Sequence, residues 1–124
     1  MFNKALIEEA IKQSTKSPSG LYKHGAVVFD HKNNIISKGF NHDYFIPGLK
    51  KFGYNGMSTH AEAEAVCRVD SVRGCSLLVI RRSRGGTKFS DSKPCVHCMN
   101  LLFSSGISQV FYSSSDGTIK RIKL

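Results

Sequence analysis

Apolar residues recur along this chain with two different periods, and the periods divide it into alternating elements. Phe2, Leu6, Ile7, Ala10 and Ile11 follow the i, i+4 stripe of an amphipathic helix, which predicts a helix over residues 2–15. Pro18, Ser19 and Gly20 stop it. The short run Ala26-Val27-Val28-Phe29 is apolar and partly β-branched, as in a strand. Asp30 to Asn34 makes a turn, and Ile35 to Phe40 returns as the second strand of an antiparallel hairpin.

Residues 41–58 lack a clear period. They hold Pro47, Gly48, Gly53 and Gly56, and the aromatics Phe40, Tyr44, Phe45, Phe52 and Tyr54 crowd the region. A loop this long in a small domain is often functional. Ser58 or Thr59 can cap the helix that follows, with Glu62 as the capping-box partner of Thr59. That helix runs through Ala61, Ala63, Ala65 and Val66 to about Val69, and a strand spans Ser76 to Arg81. The polar segment Arg82 to Lys93 leads to another helix, with Pro94 at or near its first turn and Gly106 at its end. Ser108 to Tyr112 is a strand, Asp116-Gly117 a turn, and Thr118 to Leu124 a final strand. In that last strand Lys120, Arg121 and Lys123 alternate with Ile119, Ile122 and Leu124, as on an edge guarded by charge.

Strands separated by helices pair in parallel and are covered on both faces. The expected fold is therefore α/β: a three-layer α/β/α sandwich with a mixed sheet of about five strands, formed by residues 1–124 as a single domain. The chain has no apolar run of the roughly 18 residues that a membrane helix needs. Met1 to Gln13 is too polar for a signal peptide, and Glu8 and Glu9 argue against a transit peptide, so a cytoplasmic setting is expected.

In a reducing compartment the four cysteines read as metal ligands or thiols rather than disulfides. Cys67 and Cys75 are unpaired in sequence and read as buried structural thiols. The net charge of +9 suggests an anionic partner, either a polynucleotide or a phosphorylated small molecule. Arg81, Arg82, Arg84 and Lys88 form the densest basic stretch, either a solvated loop or a phosphate contact; Gly85-Gly86 beside them makes no phosphate-loop motif.

Two stretches carry the chemistry. His60-Ala61-Glu62 opens one helix and Pro94-Cys95-Val96-His97-Cys98 opens another. Cys95 and Cys98 share a helix face, and a helix N-terminus lowers thiol pKa. Two thiolates and one imidazole give a tetrahedral zinc three ligands and an open position, where water is activated near neutral pH. Glu62 is not needed for coordination, and a carboxylate beside such a position can move protons. The alternative is a closed structural site completed by His97, Cys67 or Cys75, with Glu62 only a capping carboxylate; His97 should point away from the face that Cys95 and Cys98 share.

The H-x-E and P-C-x-x-C pattern resembles the cytidine and deoxycytidylate deaminase superfamily. Gly25-Ala26-Val27-Val28 and Ile35 to Asn41 are similar to its first hairpin, and Gly106 to Tyr112 to its strand after the second zinc helix. The resemblance implies zinc held by His60, Cys95 and Cys98, and proton transfer by Glu62. It implies a sugar or base contact from Asn41 and a hydrogen bond from the backbone N–H of Ala61 to the base carbonyl. Tetrameric small cytidine deaminases use Cys where this chain has His60, which moves the resemblance toward the deoxycytidylate and transfer-RNA editing branches. Val96-His97 and Gly39-Phe40-Asn41-His42 depart from the usual family residues. His24, His31 and His42 read as ordinary surface or hydrogen-bonded residues, with His42 also a candidate for substrate contact.

The expected activity is hydrolytic deamination of a cytosine nucleoside or nucleotide. The second reading is deamination of cytosine or adenine within RNA or single-stranded DNA, and the third a noncatalytic zinc module. The expected partners are a small nucleoside or nucleotide, nucleic acid in the second reading, no membrane, and further copies of the chain in a homo-oligomer.

Overall fold

The computed structural model describes residues 2–18, 23–44, 46–54, 58–83 and 88–124. The expectations placed on Ser19, Gly20, Phe45, Gly56, Arg84, Gly85 and Gly86 lie outside the described residues. Helix α1 (Lys4–Thr15) is followed by the strands β1 (Lys23–Phe29) and β2 (Ile35–Phe40), then by a 3-10 helix at Pro47–Phe52. Next come α2 (Ala61–Cys67), β3 (Ser76–Arg82), β4 (Phe89–Ser90), α3 (Val96–Ser104), β5 (Gln109–Ser113) and β6 (Ile119–Lys123).

The strands form one sheet in the order β2-β1-β3-β5-β6, with β4 paired to the end of β3. β3 and β5 run parallel, and the other described pairings are antiparallel. Period-two alternation assigns the side chains of the central strands to two cores. Val27, Phe29, Leu78 and Ile80 pack with Leu6 and Ala10 of α1. Ala26, Val28, Leu77 and Val79 pack on the other face with α2 and α3, through Ala61, Ala65, Leu101 and Leu102. The result is the expected three-layer α/β/α sandwich with a mixed sheet, one short strand larger than expected. Strands buried on both faces read as continuous apolar runs, which is why β1 and β3 were visible in sequence.

Several boundaries moved. α1 begins after Phe2, whose ring instead meets Phe111 and Phe29 at centroid distances of 4.8 and 5.9 Å, and Asn3 caps the helix by accepting from the Leu6 N–H. Thr59 does not cap α2. The N-cap is His60, without a side-chain bond, and the Thr59 hydroxyl donates to the Tyr44 carbonyl at 2.7 Å and accepts from the Ile46 N–H. Tertiary contacts thus take the hydroxyl that the capping-box reading assigned to its own helix. Pro94 lies one residue before the α3 N-cap, Cys95, and so near the first turn, as expected. At the other end Gly106 has φ 86°, and Ile107 N–H reaches the Leu102 carbonyl in a Schellman closure. Cys67 is exposed and Cys75 half-buried, contrary to the expectation for both, because α2 ends at Cys67 on the solvent side. β6 is an edge strand, as its charges implied.

Gly39 brings α2 onto the sheet. A Cβ there would lie 2.7 Å from both the Ala61 carbonyl oxygen and the Ala65 nitrogen, which are backbone atoms of that helix. Gly39→Ala is therefore expected to destabilise the fold by about 1–3 kcal/mol, as overpacking does. Denaturant melts of the two chains check this; equal midpoints and slopes would show that α2 can shift at no cost.

Candidate active site

Both motif stretches arrive at one end of the α2/α3 face. His60 ends an extended segment at φ −72°, ψ 153° and turns directly into α2. Cys95 is the α3 N-cap, and its sulfur accepts from the Cys98 N–H. The approach to α3 is fastened by a buried serine clasp. Ser92 N–H donates to the Ser113 carbonyl, Ser113 N–H donates to Ser92 Oγ at 2.7 Å, and the two hydroxyls lie 2.8 Å apart. The end of β5 thereby sets where Cys95 stands.

His60 Nδ1 lies 3.3 Å from Cys98 Sγ and 3.7 Å from Cys95 Sγ, and the three donor atoms fall within 4.8 Å of one another. Zinc takes imidazole nitrogen at about 2.0–2.1 Å and thiolate sulfur at about 2.3 Å, which sets such atoms about 3.5 Å apart around a tetrahedron. Donor type and spacing therefore fit zinc. Among the described residues no fourth His, Cys, Asp or Glu joins the group. His97 points elsewhere, its ring against Tyr54 at 5.6 Å, so the closed four-ligand alternative loses its nearest candidate.

The protonation balance agrees. The Cys95 thiol is lowered to about 3, first by its hydrogen bond with Cys98 and then by that with His60. Cys98 is pushed up by the same bond to Cys95 and by burial. His60 is raised, chiefly by Cys95. Thiols lose their protons when they ligate a metal, so the lowering of Cys95 favours uptake of a dication.

Glu62 is 5% exposed and lies in the same cleft. Burial raises its pKa, with the Cys95 charge adding to the rise. A carboxyl held above its ordinary range is suited to exchanging protons near neutral pH. The cleft measures about 510 Å³ and is lined by His24, Asn41, His42, Asp43, Ala61 and Arg81 along with His60, Glu62 and Cys95. A hollow of about 530 Å³ at the opposite end of the sheet, ringed by Phe2, Phe29 and Phe111, contains none of this chemistry.

Asn41 Oδ1 accepts from the His24 N–H at 3.0 Å, tying the end of β2 to β1. His42 is bound to Thr59 through both backbone groups, and its ring contacts the carboxylate of Glu64. Glu64 was not singled out in sequence, yet it is 2% exposed and accepts from the Phe40 N–H and from Arg68. It fixes the wall that carries Asn41. Glu62 and Glu64, two apart, lie on different sides of α2, and both are buried because Ala61 to Val66 are covered all round, which no sequence period announced. His24 was read as ordinary, but it lines the cleft and is lowered to about 4, mainly by burial, which keeps it neutral. His31 is exposed, at the rim of the distal hollow. Of the basic stretch, Arg81 enters the cleft, joined by Lys93, while Lys88 lies in a separate hollow with Asp116. Asp43 and Asp91 also line the cleft, so among the described residues Arg81 and Lys93 are accompanied there by two carboxylates besides Glu62.

A three-layer α/β/α fold presenting a His-Cys-Cys group beside a buried glutamate defines a class of zinc-binding deaminase folds. Residues 2–114 match the family described as the cytidine and deoxycytidylate deaminase zinc-binding region, and the chain belongs to that family. It is similar to a probable cytosine deaminase of Schizosaccharomyces pombe, 24% identical over 119 residues, 95% of this chain. The chain spans 64% of the length of that relative. In structure it is similar to the cytidine deaminase of Burkholderia pseudomallei, with a TM-score of 0.69 and 19% identity, covering 99% of this chain and 93% of the other. It is also similar to the cytidine deaminase of Mycobacterium tuberculosis, with a TM-score of 0.59 and 19% identity, covering 96% and 87%. Among the described residues no helix is long and apolar enough to cross a membrane.

Proposed function

We propose that this chain catalyses hydrolytic deamination of a cytosine nucleoside or nucleotide, releasing ammonia. The observation that carries this reading is the His60, Cys95, Cys98 triangle opening into the cleft that holds the Glu62 carboxylate. His60, Cys95 and Cys98 hold zinc in this reading, and the ion when bound supplies a Lewis acid that makes water nucleophilic near neutral pH.

The chain's own groups do the rest. Glu62 takes a proton from the attacking water and delivers one to the departing amine, so that water is consumed, ammonia leaves from the amine-bearing carbon, and cytosine becomes uracil. Ala61 lines the cleft at 1% exposure, and in this reading its N–H donates to the base carbonyl. Asn41, tied to His24 and followed by the anchored His42, contacts the sugar or base in this reading. The volume of about 510 Å³ suits one nucleoside or nucleotide.

The net charge of +9 favours the second reading, a base within RNA or single-stranded DNA. Among the described residues that line the cleft, Arg81 and Lys93 are matched by Asp43 and Asp91. A polynucleotide binder also needs a basic track with stacking platforms. Ammonia release is therefore expected from one or more of cytidine, deoxycytidine and their monophosphates, at rates above those from cytosine-containing single strands. Turnover of the strands alone, falling steeply as salt rises, would replace this reading with the editing one.

A further inference from the structure

The hydrogen bonding of the metal-site sulfurs leads to a residue outside the motifs. Tyr54 follows the 3-10 helix and is 5% exposed. Its hydroxyl donates to Cys98 Sγ at 2.8 Å. Its ring meets the His60 ring edge-on, with centroids 5.1 Å apart and planes at 86°. Gly53 immediately before it has φ 94°, and a Cβ there would stand 2.6 Å from His97 Nδ1. The left-handed glycine lets the loop pass close to α3 and deliver the phenol under the site.

We propose that Tyr54 is a positioning residue of the metal centre, whose phenol O–H donates to the Cys98 thiolate and raises the affinity of the chain for zinc. This rests on the zinc reading above. Two thiolates bring two negative charges to the ion, and Cys98 is 0% exposed, so water cannot solvate its remaining lone pairs. A buried anion without a donor is costly, and a donor to an ionised acceptor makes one of the stronger hydrogen bonds. Donation also lowers the energy of the sulfur lone pair, which weakens charge transfer from sulfur to metal. The edge contact with His60 orients the imidazole at the same time. Outer partners of metal ligands work in this way.

Tyr54→Phe removes only the hydroxyl and keeps the ring against His60 and His97. Zinc affinity, read by competition with a chromophoric chelator, is expected to fall about 10–100-fold. The metal-free variant is expected to melt slightly below the metal-free parent, since it lacks one buried hydrogen bond; a gap that widens as zinc is added separates a metal effect from that packing effect. With cobalt in place of zinc, the sulfur-to-metal charge-transfer band is expected to move to lower energy. That spectrum also serves if the variant folds only with metal. Zinc affinity within about twofold of the parent, or an unmoved cobalt band, would overturn the role of Tyr54 while leaving the zinc site standing. A parent chain that takes up no zinc would overturn both.

Discussion

Glu62→Gln is expected to keep its zinc and its fold and to lose turnover by about 10²–10⁴-fold, toward the upper end because one carboxylate serves successive proton transfers. Gln matches Glu in size and still hydrogen-bonds, so the buried site has no cavity to absorb. It removes the ionisable group, which burial holds above its ordinary pKa in the cleft. If ground-state binding is unaffected, the loss falls on kcat with little change in KM. Steady-state rates with zinc content measured on the same preparation make the comparison. A zinc-replete variant turning over near the parental rate would assign proton transfer to another group.

Cys98→Ala is expected to abolish tight zinc binding and with it the dependence of thermal stability on zinc. Cys98 is buried at the meeting point of α2, α3 and the 3-10 segment, within 3.3 Å of His60 Nδ1 and 2.8 Å of the Tyr54 hydroxyl. Its removal leaves two donors where the site needs three, and leaves the phenol without its acceptor. In the parent, a ligand that binds the folded state alone raises the melting temperature with its concentration. The variant should show a midpoint that zinc does not move, together with metal content far below one ion per chain. Full occupancy in Cys98→Ala would remove this residue from the ligand set.

Much of the architecture was legible because its causes are local. β1 and β3 show as unbroken apolar runs, β6 as a charged alternation, and α3 ends at a glycine whose positive φ closes it. The grouping of His60, Cys95 and Cys98 was legible for a similar reason. Each half of the motif sits at the start of a helix, so His60 with Glu62 and Cys95 with Cys98 are brought together by one local turn each. What failed was the assignment of side chains whose partners are remote. Thr59 reads as a cap until Tyr44 and Ile46 claim its hydroxyl. Cys67 reads as buried until α2 stops beneath it.

Residue types and their spacing along the chain determined the two core faces, the order of helices and strands, and a metal-ligating chemistry with one carboxylate to spare. Only the tertiary structure decided which of the remaining groups surround it. The Ser92–Ser113 clasp, the His42–Glu64 contact and the Tyr54 bond to Cys98 join residues 21, 22 and 44 positions apart. No sequence period links such positions. They meet because β5 lies beside β3, α2 rests on Gly39, and the aperiodic loop folds under α3. Hydrogen bonds and charges act over a few ångströms of space, whereas sequence patterns record only neighbours along the chain.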